Sequence, residues 1–427
     1  MKHYGVRILI VAITTVLFMT CVTNPVTGKN QFSLVDETWE IATGKELYPI
    51  YTQESFGTYP DRSVSNFISQ VGTNVSVVSH RPKFPYEFNL LNTPAVNAFA
   101  LPGGKISITR GLLYHMESEA QLAAVLAHET AHVNLRHSAI GYSRQILAQA
   151  FLLGVMAYTE IEDVKGKEYW QLGSLLGSNL TLLHFSRKQE MESDSLGMEY
   201  MVKAGYDPHG MVQIQEILQS LGGTSSKFMN IFETHPLSAE RISNARQLLE
   251  TRYPQRGNVG RESFKKAIAD LERTMESYKV LDSAIEAVQQ KDVPRALELM
   301  KPLKRRAPGH AIFPAIEAYL HQLSRDDTAG LSLAVQSIQI DPHFFYSRYV
   351  AGVTATNLSR SRLAIEHLTE ADHLIPGRSD IQYLLAQNYE RSGDKGHARE
   401  YYGKVAQDGS GEFQQLAIQQ LGKPSLQ

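Results

Sequence analysis

The chain has 427 residues, with 42 Lys and Arg against 44 Asp and Glu and a formal net charge of −2. That length is long for one domain, and the near-neutral balance lacks the basic stripe of a nucleic-acid-binding protein, so no nucleic-acid partner is expected. A composition that is 43% hydrophobic supplies enough apolar side chains for real cores, and a single cysteine leaves no disulfide framework within the chain.

Lys2 and Arg7 form a positive start to an apolar run from Ile8 to Met19. The pattern predicts a signal peptide over residues 1–20, because the run is too short for a comfortable membrane span. The only cysteine, Cys21, follows at once, and its position resembles the lipid-attachment cysteine of bacterial lipoproteins, although Phe18 and Thr20 depart from the residues usual there. The resemblance implies export and a lipid anchor at Cys21. Val22, where Asp would mark inner-membrane retention, points to a periplasmic protein held at the outer membrane. Residues 21–37 are rich in turn formers and short of apolar periodicity, which predicts a tether.

A first globular domain is expected over residues 38–254. Thr38 to Val78 has helical periodicity, with Pro60-Asp61-Arg62 opening a second helix through Val64, Phe67, Ile68 and Val71. Tyr86 to Leu90 alternates, and Asn97–Leu101 and Lys105–Thr109 flank Pro102-Gly103-Gly104, the pattern of a hairpin. Asn97, Ala98, Phe99 and Ala100 would either pair with an extended substrate backbone or merely cover the core.

Ser118 and Gln121 then form a capping-box pattern, and Leu122, Leu126 and Val133 recur at helical period. His128-Glu129-Thr130-Ala131-His132 lies on that helix. Residues four apart share a helix face, so His128 and His132 offer two imidazole nitrogens to one metal ion. Glu129, one residue off, reaches a water at that ion rather than the ion itself. Two neutral ligands, an open position for water and a carboxylate to take its proton are what metal-assisted hydrolysis requires.

Gln145–Ile161 and Tyr169–Phe185 are apolar but diluted by polar residues and glycine, so two helices packed over this domain are expected rather than membrane spans. A further helix runs from Arg187 to Ala204 and ends at Gly205. Glu190 and Asp194 share one of its faces. A site with two histidines needs a third protein ligand, and a carboxylate from a second helix is a recurrent solution. Asp194, a turn on, would hold the free ring N–H of a ligating histidine. Glu192 points elsewhere and is expected at the surface.

Together, His-Glu-x-x-His, Glu-x-x-x-Asp and Asn-Ala-Phe-Ala-Leu-Pro-Gly-Gly resemble the HtpX, BepA and Oma lineage of zinc metallopeptidases, over roughly Leu34 to Arg246. The start at Cys21 to Gly28 is similar to the lineage's lipoprotein members. The resemblance implies a zincin-type α+β domain with a small sheet and one zinc per chain, bound by His128, His132 and Glu190. It implies Glu129 as general base, Asp194 behind a ligand, and Asn97–Leu101 bordering the substrate cleft. Thr234-His235-Pro236-Leu237, with Arg241 after it, matches a His-Pro element near the metal, which makes His235 a catalytic candidate. The implied substrates are misfolded or stalled envelope proteins, including outer-membrane β-barrels.

Beyond a linker helix expected over 255–274 the pattern changes. Pro308, Pro342 and Pro376 are thirty-four residues apart; Ala296, Gly330, Ala364 and Ala398 keep the same step, as do Ala284, Ala318, Gly352 and Ala386. Small residues at two fixed sites and a terminal proline are the tetratricopeptide signature. About four units, from Met275 to Gly411 within a domain of residues 275–427, would form an α-solenoid whose concave face docks a protein partner; the resemblance to BepA-type members implies outer-membrane assembly machinery as the candidate. The chain as a whole is expected to be mostly α. The rival reading is a chaperone-like scaffold whose protease site is latent until a partner docks.

Overall fold

The computed structural model describes residues 21–158, 184–222, 231–305 and 309–423. The predicted signal peptide, all but the last two residues of the second apolar stretch and Pro308 lie outside them. The chain divides into two compact units. One holds Met1–Tyr48, Arg62–Leu90 and Pro94–Ile268, and the other Pro49–Asp61, Leu91–Thr93 and Ala269–Gln427.

The first unit opens with β1 (Cys21–Thr23) and β2 (Asn30–Phe32), an antiparallel pair with Cys21 opposite Phe32. This corrects the expectation of a tether. The turn formers close a hairpin: the Asn24 side-chain oxygen accepts from the Val26 and Thr27 amides, at 2.9 and 3.0 Å, and Gly28 takes φ 67°. The hairpin is also docked. Asn24 donates to the Leu135 carbonyl at 3.2 Å, and the Leu34 amide donates to Ser143 Oγ at 2.9 Å.

Helices α1 (Glu37–Glu54) and α2 (Arg62–Ser76) follow, and α2 buries Val64, Ile68, Val71 and Val75 along one stripe. Next come β3 (Glu87–Leu91), β4 (Ala98–Leu101) and β5 (Lys105–Thr109), in the sheet order β3–β5–β4. The β4–β5 hairpin is antiparallel about Pro102-Gly103-Gly104, as predicted, and β4 lies at the edge of the sheet. The remaining helices are α3 (Arg110–Leu113), α4 (Glu119–Asn134), α5 (His137–Tyr158), α6 (Arg187–Lys203), α7 (His209–Gly222), α8 (Ile231–Thr234), α9 (Ala239–Thr251) and α10 (Arg261–Ala267).

Helix α4 sits in the core and not at a surface: every residue from Ala120 to His132 is buried. Its capping differs in one detail from the expected box. Ser118 accepts from the Gln121 amide, but the Gln121 side chain takes the Glu117 amide at 2.8 Å, one residue before the cap. Helix α5 covers the first apolar stretch only as far as Tyr158, and among the described residues no helix is long and apolar enough to cross a membrane.

The second unit is a run of helix pairs: α11 (Ala269–Gln289) with α12 (Val293–Met300), α13 (Ile312–Leu323) with α14 (Asp327–Ile340), α15 (Phe345–Asn357) with α16 (Ser361–Leu374), and α17 (Ser379–Arg391) with α18 (Lys395–Asp408). A last helix, α19 (Gly411–Leu421), follows. The small-residue columns lie where paired helices touch: a Cβ on Gly330 would stand 3.1 Å from the Ala318 carbonyl oxygen. Pro342 and Pro376 each follow the end of a second helix by two residues, where proline stops the chain from continuing. A further column is invisible in residue type. Lys291, Arg325, Ser359 and Gly393 all take positive φ in the turn inside each pair, and only the last is glycine.

The expected boundaries shift with these helices. Position 275 falls inside α11, and α10 belongs to the first unit, where buried Phe264 meets the Phe67 ring edge-on at 6.3 Å.

Candidate metal centre

Two helices and one short segment bring the predicted residues together. Helix α4 presents His128 and His132. Helix α6 is started by a full capping box, in which Ser186 accepts from the Gln189 amide and Gln189 accepts from the Ser186 amide. That fixes Glu190 in its first turn and Asp194 one turn on. His235 arrives at the end of α8.

The Nε2 atoms of His128 and His132 are 3.1 Å apart, and Glu190 Oε1 is 3.2 Å from His132 Nε2. His235 Nδ1 lies 3.4 Å from His128 Nε2 and 3.0 Å from Glu190 Oε1. All four residues are buried, and one potential ligand atom from each lies within 4.8 Å of the others.

Three imidazole nitrogens and a carboxylate turned on one buried point fit a cation. Neutral rings facing each other would otherwise set lone pair against lone pair. With Zn–N bonds of 2.0–2.1 Å, tetrahedral ligand nitrogens stand about 3.3 Å apart, close to the separations here. The electrostatics agree. Burial alone would depress His128, yet Asp194 and Glu190 push it up to about 10. Burial would raise Glu190, yet the surrounding histidines hold it well below the ordinary carboxylate range. Burial, with His128 and His137 beside it, keeps His132 well below its usual value. The pocket is built to hold positive charge against Glu190.

Two supports lie behind these side chains. Asp194 Oδ1 is 2.9 Å from His128 Nδ1, so His128 presents Nε2 to the centre. Arg241 donates to both Asp194 oxygens at 2.7 and 2.8 Å, and its Nη1 reaches Glu190 Oε2 at 2.6 Å. On the other side His137 Nδ1 is 3.0 Å from His132 Nδ1, and Phe185 packs on the His132 ring at 4.1 Å between centroids. His137 is itself buried. Glu192, expected at the surface, is half-exposed and also reaches His137 Nε2 at 3.6 Å.

Glu129 stands beside this group of four and is not part of it. Its Oε2 is buried with no hydrogen-bond partner among the described residues, and its Oε1 is 3.7 Å from His235 Nε2. Ala98 of edge strand β4 lines the cleft next to Glu129; Asn97 precedes the strand and pairs through its backbone with Thr109, and Phe99 and Ala100 are partly exposed. Cys21 lies at the start of β1, remote in sequence from all of these.

Residues 63–249 match peptidase family M48. The chain carries an M48 peptidase domain. Its curated relatives include the "Mitochondrial metalloendopeptidase OMA1" of Schizosaccharomyces pombe, 32% identical over 53% of this chain and 65% of that protein. The "Beta-barrel assembly-enhancing protease" of Escherichia coli K12 is 29% identical over 49% of this chain and 44% of that protein. In each case the chain spans less than two thirds of the relative's length. Among solved structures, a MamA fragment from Desulfovibrio magneticus RS-1 aligns at TM-score 0.31 and 15% identity, over 34% of this chain and 82% of that one, too distant to argue from.

The M48 domain depends on a close helix contact. A Cβ on Gly197 of α6 would lie 3.1 Å from the His128 amide nitrogen and from Met211 Cε. Gly197→Val is expected to cost about 1–3 kcal/mol of stability and to weaken metal binding together with it, because it parts the two helices that carry the ligands. Thermal melts with and without chelator check both effects; a variant as stable and metal-rich as wild type would refute the close-contact argument.

Proposed function

We propose that this chain is a zinc metalloendopeptidase that hydrolyses peptide bonds of cell-envelope proteins in envelope quality control, with its helical repeats docking a protein partner. The observation that carries the reading is the buried convergence of His128, His132 and Glu190 with an unpaired Glu129 oxygen beside them. Similarity to the β-barrel assembly-enhancing protease of Escherichia coli supports β-barrel proteins as substrates, and we infer outer-membrane assembly machinery as the partner.

His128, His132 and Glu190 would hold the metal, one per chain. When bound, zinc supplies Lewis-acid polarisation of the scissile carbonyl and lowers the pKa of the attacking water. Glu129 takes that water's proton and returns it to the leaving amine. Asp194, held by Arg241, fixes the His128 ring with Nε2 inward. The Asn97–Ala100 segment and edge strand β4 would pair with the substrate backbone. Cys21 would carry a lipid that anchors the protein to the outer membrane.

One observation favours a gated site. His235 reaches the same point as the three ligands, and four protein ligands make a closed site whereas three leave room for water. We therefore infer a low basal activity, relieved when His235 swings away. Purified wild type should contain about one zinc and cleave unstructured casein slowly, in a chelator-sensitive way. His235→Ala should keep its zinc and cleave several times faster. Zinc-free wild type would refute the metal assignment, and loss of cleavage in His235→Ala would make His235 an essential catalytic group rather than a gate.

A further inference from the structure

The cleft that holds His128, Glu129 and His235 is walled between α4 and α7 by aliphatic side chains, Val125, Met211, Ile214 and Leu218, with Ile231 and Leu237 beside them. One wall residue breaks the pattern. Gln215, on the buried face of α7 and 2% exposed, sits where periodicity calls for an aliphatic side chain. Both its Oε1 and its Nε2 are buried with no hydrogen-bond partner among the described residues. Its neighbour Gln213 is satisfied, since its oxygen accepts from Gln121 Nε2 at 3.2 Å. An unpaired buried amide costs folding free energy, so something outside the described chain is expected to meet it.

We propose that this pocket is a side-chain subsite for the substrate, and that Gln215 selects a residue ending in a carboxamide, asparagine or glutamine. The inference rests on the endopeptidase reading above. The whole cleft, from His128 and Glu129 to Gln215, has about 40 Å³ of space, so only a small polar group fits beside Gln215. A carboxamide donates to Oε1 and accepts from Nε2 at once. A carboxylate cannot donate to Oε1, and an ammonium cannot accept from Nε2. An aliphatic side chain fills the space but leaves both amide atoms unpaired.

Two measurements test this. In a peptide library cleaved by the metal-loaded wild type, asparagine or glutamine next to the scissile bond should raise kcat/KM about tenfold over leucine. Gln215→Leu should reverse that preference towards leucine and methionine. Independently of activity, Gln215→Leu should melt at or above the wild-type temperature, because it removes an unpaired buried amide. A lower melting point would mean that Gln215 has a partner within the chain, and would overturn the proposal. Cleavage with the same site profile in wild type and Gln215→Leu, or a preference for serine or threonine, would overturn it while leaving the peptidase reading intact. No cleavage by any metal-loaded form would overturn both.

Discussion

Glu129→Gln is expected to keep one equivalent of metal and to cleave casein about a thousandfold more slowly than wild type, within the range ascribed to a positioned general base. The substitution keeps the side chain's size, so the packing of α4 should survive. It removes only the ability to accept a proton. Glu129 lies outside the group of four potential ligand residues, and its Oε1 is 3.7 Å from His235 Nε2. The metal therefore has no reason to leave with the carboxylate. Its Oε2 is buried and unpaired among the described residues, which is a costly way to keep a carboxylate unless something within the cleft uses it. Metal analysis and cleavage on the same two samples separate the roles. Metal lost with Glu129 would make it a ligand, and equal cleavage would remove it from the chemistry.

What was legible in the sequence followed from regular geometry. Residues four apart on a helix share a face, so His128 with His132 and Glu190 with Asp194 could be paired before any coordinates. A constant step of thirty-four residues likewise marked the repeats, since each small residue has to face the next helix in the same way. Irregular backbone hid the rest. His137 lies five residues beyond His132, a spacing that points away on a continuous helix. Instead α4 ends at Asn134 with Leu135 as its C-cap, Arg136 takes φ 58°, and the reversal returns His137 Nδ1 to within 3.0 Å of His132 Nδ1. The left-handed turns of the repeats were hidden for a similar reason, because Lys291, Arg325 and Ser359 do what glycine signals openly at Gly393. Turn-rich residues 21–37 read as a tether because composition does not tell a closed hairpin from a loose one. Arg241 carried a signal only as part of a motif; its grip on both Asp194 and Glu190 depends on the chain between α6 and α9.

Glu190 offers the sharpest test of the metal assignment. Its carboxylate is fully buried, with His132 Nε2 at 3.2 Å, His235 Nδ1 at 3.0 Å and Arg241 Nη1 at 2.6 Å. Glu190→Ala should lose the metal and also lose about 3–5 kcal/mol of stability, because Arg241 and the histidine cluster are left without that counter-charge. Glu190→Gln separates the two effects by keeping the volume while weakening the ligand. Wild type should melt lower after chelation, since a ligand present at about a thousand times its Kd stabilises the fold by about 4 kcal/mol. Glu190→Gln should melt at the same temperature with and without chelator. Glu192→Ala is the control on the same helix: its side chain is 44% exposed and touches His137 rather than the centre. It should keep the metal and the chelator-sensitive melt. If Glu190→Gln instead binds a full equivalent and Glu192→Ala does not, the third ligand lies on the other face of α6, and the charge-holding cluster around Glu190 has a structural origin alone.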